Sequence, residues 1–595
     1  MLRKRIIDDL KTSVNKFGFE VTDIVLSIPK NSSFGDYSTN LALQLAKVNP
    51  GSDKQSPQDI ANKILENFGT PDYLEKAEIA GGGFINFFLK TEVLLKNLSQ
   101  SYTHPAQDKK EKIMVEFTDP NPFKEFHIGH VFSNSVGEAL CRLFEFQGDE
   151  VLRVNYFGDV GMHVAKSIWG LKQKLKEDGL SLEELEKGTL KEKVEYLGHA
   201  YVKGASSFED PKFQEEIKRV NLVIYIAAQE FLKESTDFQP EADYASLVKT
   251  NSDEVKEIRH LFETGRKWSL DYFESIYVIL GTKFNGYYPE SIVGEYGLKQ
   301  VKAHLEDGIF ERSEGAIIFP GEKYGLHNRV FINSLGLPTY EAKELGLGVK
   351  KYEDYKYDRS IIVTGNEINE YFKVLMLALS KIQPEIAEKT IHLGHGMVRM
   401  IGSKMSSRKG NVLTFDDLYE AVKSKIDGLL KDFDPKEKEQ VLKMVAVGAI
   451  KFAMLKHQPT VDTIFDIEKS VALQGDSGPY IQYTYARARS ILRKLQPIDE
   501  IKLKVDSLEK EERQILQKIE YFPGMIEDAL ETLHPNVVAL YLLELAGDFN
   551  LFYQKHRIID AGEDKKMLRL ALTQTVSAIL KQGLYLLGIE APEKM

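Results

Sequence analysis

The sequence has a single cysteine, Cys141, in 595 residues. That excludes a disulfide framework and a zinc site built from several thiolates. No charge-free apolar run approaches the roughly 18 residues a membrane span needs, so no membrane association is expected. The opening stretch MLRKRIIDDLKTSVNKFGF is basic but has no apolar core, so no secretory signal is expected. The Asn-x-Ser matches at Asn31 and Asn97 then carry no weight as glycosylation sites, and the expected compartment is the cytoplasm. Glycine (43) and proline (20) are too few for a disordered or collagen-like chain. Positive charge is not in excess either, the net charge being −11. This argues against a surface coated in nucleic acid but leaves room for a local basic face. Repeats and low-complexity tracts are lacking.

What remains is a globular balance of 43% hydrophobic and 28% charged residues, long enough for about four domains. Residues 1–108 read as a small α+β unit. In it Phe34-Gly35-Asp36-Tyr37-Ser38-Thr39 leads into a helix-like Asn40–Ala46, and Gly81-Gly82-Gly83 opens a strand-like Phe84–Leu89. The polar stretch Ser101–Asp108 reads as a linker. Lys112–Phe117 predicts a buried strand, followed by a turn with Pro120 and Pro122. A helix starting near His127 carries Val136, Ala139, Leu140, Leu143 and Phe144 on one face and stops at Gly148. Val151–Tyr156 is the next strand, and strand–helix–strand order implies a parallel sheet. Residues of about 165–310 read as a mostly helical insertion. Strand-like runs return at Ala316–Phe319, Arg329–Ile332 and Ser360–Val363, and from about 412 onward the period is helical. The expected division is 1–108, then 109–390 with its insertion, 391–470, and 471–595.

The sharpest local signal is His127-Ile128-Gly129-His130 at the strand–turn–helix junction. The imidazoles share a helix face, and a helix N-terminus offers free N–H groups to a phosphate. With 13 His and 43 Gly in the chain, about 0.02 His-x-Gly-His matches are expected by chance. The second signal is Lys404-Met405-Ser406-Ser407-Arg408-Lys409-Gly410, small and cationic residues suited to a mobile loop that meets a polyphosphate. Alone it is weak, since a basic loop is usually just solvated.

Together the two stretches resemble the paired motifs of class I aminoacyl-tRNA synthetases, which flank ATP on a Rossmann-type sheet. Three further stretches are similar to the arginyl-tRNA synthetase family: Glu116–Lys124, His395-Gly396-Met397-Val398, and Gly478–Ser490, the last like the first helix of that family's anticodon-binding domain. The resemblance spans the chain. It implies an α/β Rossmann-type catalytic domain, an α+β N-terminal domain that touches the tRNA elbow, and an all-α C-terminal anticodon-binding bundle. It also implies a ligase joining L-arginine to tRNA(Arg) through an arginyl-adenylate, with ATP and Mg²⁺ and without zinc, working as a monomer, in a family that needs bound tRNA before activation.

Residue by residue, the resemblance places His127, Gly129, His130, Gly365, Glu367, Met397, Lys404, Met405, Ser406 and Ser407 at ATP. It places Glu116 and Asn121 at the α-amino and carboxylate end of arginine, and Tyr340 and Glu344 at the guanidinium, where many relatives have aspartate for Glu344. Asp159 and His163, in Gly158–His163, resemble an active-site turn, with a plain turn as the alternative. The usual second lysine of the loop is replaced by Ser407. The resemblance suggests that Lys124, three residues before His127, supplies that charge, with Arg408 or Lys409 as the alternative. Tyr480, Tyr483, Arg487 and Arg493 fall where unstacked anticodon bases would meet aromatic and basic side chains. Asn86 matches a position near the D-loop, although a buried strand asparagine is an equal alternative. The rivals are a cysteinyl synthetase, disfavoured by the lone Cys141, and a tRNA-binding relative without catalysis, disfavoured by intact His127, His130 and Lys404.

Overall fold

The structure is a computed structural model that describes residues 2–48, 55–99, 110–235, 239–401, 413–428, 430, 433–494, 505 and 507–595. The N-terminal unit is a four-stranded antiparallel sheet in the order Leu26–Ser27, Tyr37–Thr39, Phe84–Leu89, Leu74–Ala80. Helices Leu2–Asn15, Leu41–Val48 and Pro57–Phe68 supply Ile6, Leu10, Leu41, Ile60 and Ile64 to its core beside Ile85 and Phe87. Gly35 has φ +91°, and a Cβ there would stand 2.6 Å from the Phe87 carbonyl oxygen, so only glycine fits before Asp36.

The centre is a five-stranded parallel sheet. Its strands are β1 (Lys112–Phe117), β2 (Glu150–Phe157), β3 (Gly286–Pro289), β4 (Arg359–Gly365) and β5 (Thr390–His395), in the order β5-β4-β1-β2-β3. β1 lies at the middle and reads as a buried run because helices cover both faces. The chain leaves it one way to β2 and returns later on its other side as β4. The strand order reverses between β1 and β4, where open α/β sheets bind ligands at the strand carboxyl ends.

Helix α1 (Ile128–Gln147) joins β1 to β2 and ends at Gly148 with φ +102°, where the sequence predicts the stop. Between β2 and β3 lie mainly helices, the longest being α2 (Ser252–Leu280). The edge strand β3 and helix α3 (Glu290–Ala303) that follows it fall inside the stretch read as helical insertion. The strands Ala316–Phe319 and Arg329–Ile332 form a separate antiparallel sheet with Glu311–Ser313 and do not join the parallel one. Helix α4 (Tyr340–Asp354) leads back to β4.

The C-terminal third is built from α5 (Pro435–Leu455), α6 (Gly478–Leu492), α7 (Lys510–Thr532), α8 (Asn536–Lys555) and α9 (Glu563–Leu586). One departure from helical period is Thr463–Phe465, which pairs in parallel with Val398–Met400. The N-terminal unit docks on α7 through the fully buried Asp36. Its carboxylate accepts from Gln517 Nε2 at 2.6 Å, Arg513 Nη2 at 3.1 Å and its own domain's Leu89 N–H at 2.6 Å.

Candidate active site

His127 is the N-cap of α1. Its Nδ1 accepts the Gly129 N–H at 3.1 Å, and the Nδ1 of His130 accepts the His127 N–H at 3.1 Å. The two rings stack with centroids 3.6 Å apart. Two histidines thus form a reciprocal cap of the kind usually built from Ser or Thr with Glu. With both Nδ1 lone pairs taken, each neutral ring carries its proton on Nε2 and presents an N–H donor. Burial, and then the Lys124 charge, hold His127 down at about 4. Burial, and then His127, put His130 well below its ordinary value. Both are therefore neutral donors at neutral pH, at the positive end of a helix.

The loop from β1 to α1 is strained. Thr118 (φ 80°), Asp119 (46°) and Phe123 (66°) are non-glycine residues in left-handed conformations. Fixed partners hold the loop there. The Thr118 N–H donates to Ser133 Oγ at 2.8 Å, and the Ser133 hydroxyl donates to the Val363 carbonyl at 2.9 Å, tying α1 to both strands at the order reversal. Asp119 accepts the Tyr156 N–H at 2.9 Å, Asn121 accepts the Gly158 N–H at 2.7 Å, and Ser269 accepts the Phe123 N–H at 2.9 Å.

This loop borders a cluster of carboxylates. Glu116 is 1% exposed and pairs with Lys351 through Oε2, while its buried Oε1 has no hydrogen-bond partner. Glu290, on the first turn of α3, is 2% exposed; it pairs with Lys343 at 2.5 Å and accepts the Tyr156 hydroxyl at 3.2 Å. Burial raises the Glu290 pKa, and Lys343 pulls it back. Glu344 follows Lys343 on α4 and has no ion pair or hydrogen bond among the described residues. Burial, and then Glu116, push its pKa well up. A carboxylate in that state gains most from an incoming cation. Tyr340, one turn earlier, is 57% exposed, with the Lys343 Nζ 5.3 Å from its ring centroid.

Gly158 lies against this cluster: a Cβ there would stand 2.7 Å from Asn121 Oδ1 and 3.0 Å from Glu290 Oε1. His163 Nε2 is 2.8 Å from the Gly158 carbonyl oxygen, and burial lowers its pKa to about 3, so it is neutral and donates there. Asp159 is occupied by protein donors: Ser291 N–H at 2.9 Å, Ser291 hydroxyl at 2.8 Å and Arg266 Nε at 3.0 Å. It holds the start of α3, and with it Glu290, rather than standing unpaired. Lys124 has no ion pair among the described residues and stands 5.1 Å from the Tyr201 ring centroid. Burial lowers its pKa, and Glu290 raises it.

On the other side of α1, Gly365 ends β4 and Glu367 is exposed on the short helical turn after it. Met397 is 46% exposed, its N–H bound to Asp462 Oδ1 at 2.9 Å. Lys404, Met405, Ser406 and Ser407 lie outside the described residues, as do Arg408 and Lys409. Among the described residues no group of three or more His, Cys, Asp or Glu stands ready to hold a metal ion, and no helix is long and apolar enough to cross a membrane.

At the start of α6, Tyr480, Tyr483 and Arg487 come together. Arg487 donates to the Tyr483 hydroxyl at 3.2 Å and to Asn550 Oδ1, and Asn550 Nδ2 donates to the Tyr480 hydroxyl at 3.1 Å. The guanidinium lies 4.8 Å from the Tyr483 ring centroid and 5.2 Å from that of Tyr553. Arg493 is not in this cluster; it donates to the Glu593 carbonyl at 2.7 Å. Asn86 is 5% exposed and accepts from the Ser38 hydroxyl at 2.7 Å, the setting of a buried strand asparagine.

Sequence reasoning missed Glu290, Lys343, Lys351 and Tyr156. The available signal for Glu290 was Tyr287-Tyr288-Pro289-Glu290-Ser291, a short aromatic run broken by proline just before helical period begins.

Comparison with known proteins agrees with this geometry. Three family models match consecutive parts of the chain: "Arginyl tRNA synthetase N terminal domain" over residues 1–89, "tRNA synthetases class I (R), catalytic domain" over 91–467, and "DALR anticodon binding domain" over 481–595. An arginine–tRNA ligase of Streptococcus pneumoniae (strain CGSP14) is 31% identical over 609 residues, covering 100% of both chains. The solved Thermus thermophilus arginyl-tRNA synthetase superposes with a TM-score of 0.80 at 26% identity, covering 100% of each chain. The Plasmodium falciparum enzyme, at 21% identity and TM-score 0.78 over 100% of this chain and 99% of its own, shares the fold. With an order reversal flanked by a histidine-capped helix and a carboxylate cluster, and with relatives matching from end to end, the chain belongs to the arginyl-tRNA synthetase family of class I aminoacyl-tRNA synthetases.

Proposed function

We propose that this chain, an arginine–tRNA ligase, divides its reaction between the two sides of α1. In the first step the carboxylate of L-arginine attacks the α-phosphorus of ATP and pyrophosphate leaves, giving arginyl-adenylate. In the second, a terminal ribose hydroxyl of tRNA(Arg) attacks the activated carbonyl and releases AMP. Negative charge builds on the phosphates in the first step, and donors fixed in advance are the main source of stabilisation. The Nε2–H groups of His127 and His130 fill that role, with Lys124 beside them and Lys404 as a further cation.

The observation that carries substrate choice is Glu344, a carboxylate without a cation of its own beside two, Glu116 and Glu290, that have one. The arginine guanidinium completes it, with Tyr340 at the rim. Asn121 and the free oxygen of Glu116 serve the α-amino end. Mg²⁺ bound with the nucleotide would offset part of the phosphate charge. Tyr480, Tyr483 and Arg487 are the anticodon-facing group, and activation waits for tRNA, in the cytoplasm. The test is arginine-dependent ATP–pyrophosphate exchange with and without tRNA(Arg). Exchange driven by cysteine, or by no amino acid, would refute the reading.

A further inference from the structure

Four elements meet at a junction that the chemistry above does not use. Lys451 of α5 is fully buried, and its Nζ donates to the carbonyl of Leu280, the last residue of α2, at 2.6 Å. Arg142 of α1, about four turns beyond His127, donates to the carbonyls of Gly281 at 2.8 Å and Tyr585 at 2.9 Å and to Glu138 Oε1 at 2.7 Å. Its guanidinium stands 4.6 Å from the Tyr585 ring centroid. The turn after α9 closes on the same point, since a Cβ on Gly588 would come 2.7 Å from Lys451 Nζ.

The tail beyond that turn is held by α6. Gln482 Nε2 donates to the Glu590 carbonyl at 2.7 Å, and Glu593 accepts from the Tyr485 hydroxyl at 2.5 Å and Arg489 Nε at 2.7 Å. α6 is the helix that also presents Tyr480, Tyr483 and Arg487. The tail is thus gripped at one end by the anticodon-facing helix and at the other by the helix that carries His127 and His130. Burial, and then Arg142, bring the Lys451 ammonium down to about 7. A buried donor of this kind tolerates little rearrangement, because a lost acceptor leaves it uncompensated.

We propose that Lys451 and Arg142 are positioning residues that couple tRNA seating on α6, through the 585–593 tail, to the placement of α1 and its two histidines. The inference rests on the tRNA-dependent activation proposed above. The experiment measures arginine-dependent ATP–pyrophosphate exchange with and without saturating tRNA(Arg), tRNA affinity by filter binding, and thermal unfolding, on the full-length protein. Lys451→Met keeps the stem and removes the donor. Tyr585→Ala removes a half-exposed ring under Arg142 and spares the core, so it reports even if Lys451→Met does not fold.

In Lys451→Met the tRNA-stimulated rate should fall about 10-fold, and in Tyr585→Ala about 3-fold, with tRNA affinity within about 2-fold of wild type and the tRNA-free rate unchanged. A purely structural role would instead lower both rates together. Full stimulation in the folded variants, or a loss that merely follows tRNA affinity, overturns the coupling. Equal wild-type rates with and without tRNA overturn the underlying reading itself, before any variant is made.

Discussion

Lys343 and Glu290 form an ion pair at 2.5 Å with side chains only 5% and 2% exposed, while Glu344, the next residue after Lys343, has no cation partner among the described residues. The pocket therefore has one open charge to offer a guanidinium. Glu344→Gln should lower kcat/KM for arginine by about 2–4 kcal/mol, because the bound cation meets a neutral partner. The KM for ATP should hardly move. Steady-state exchange kinetics with both substrates varied check this, and unchanged arginine kinetics would place Glu344 outside the pocket.

Asp159 should act through its neighbours. Asp159→Asn keeps the shape but loses an acceptor for the Ser291 and Arg266 donors that fix the start of α3. Glu290 would then sit less well, and the arginine KM should rise about 10-fold, roughly 1.4 kcal/mol, with kcat nearly intact. A fall in kcat alone would indicate a direct part in the chemistry.

The Lys124 charge acts on both histidines of the cap, and among the described residues no ion pair commits it. Lys124→Ala should reduce kcat for activation by about 10²–10³, the usual loss for one electrostatic stabiliser, with little change in arginine KM. Lys409→Ala should be mild. The reverse ranking would move the role to Lys409.

The histidine cap also makes stability depend on pH. His127 has a folded pKa of about 4 against an ordinary 6.5. Between those values the unfolded chain binds more protons than the folded one, so stability rises with pH across this window and is lost as acid is added. His127→Asn keeps a capping acceptor but does not titrate. Chemical denaturation at pH 7 and pH 4.5 should show the acid penalty shrinking by about 1–3 kcal/mol in the variant. An undiminished penalty would mean His127 is not held neutral.

The catalytic core was legible wherever the signal was local. α1 announced both ends, because its apolar face has helical period and Gly148 supplies the left-handed stop. β1 was legible because a strand buried on both faces is a continuous apolar run. The pairing partners were not: Lys351 lies 235 positions from Glu116, and nothing near either residue shows that they meet. β3 was missed because Gly-Tyr-Tyr-Pro is too short to show alternation. Asn86 shows why both readings of a residue were kept open: its position matches the family, while its amide oxygen turns inward to Ser38, as a buried strand asparagine does.

Asp36 has a consequence for how the molecule can be cut. Its carboxylate belongs to the N-terminal unit, yet Gln517 and Arg513 of α7 provide two of its three hydrogen-bonding partners. Severing the chain near residue 100 would strip a dry carboxylate of its counter-ion on one fragment and leave a guanidinium and an amide facing bare solvent on the other. The first domain is a wall shared with the last, and the two ends of the chain stand or fall as one building.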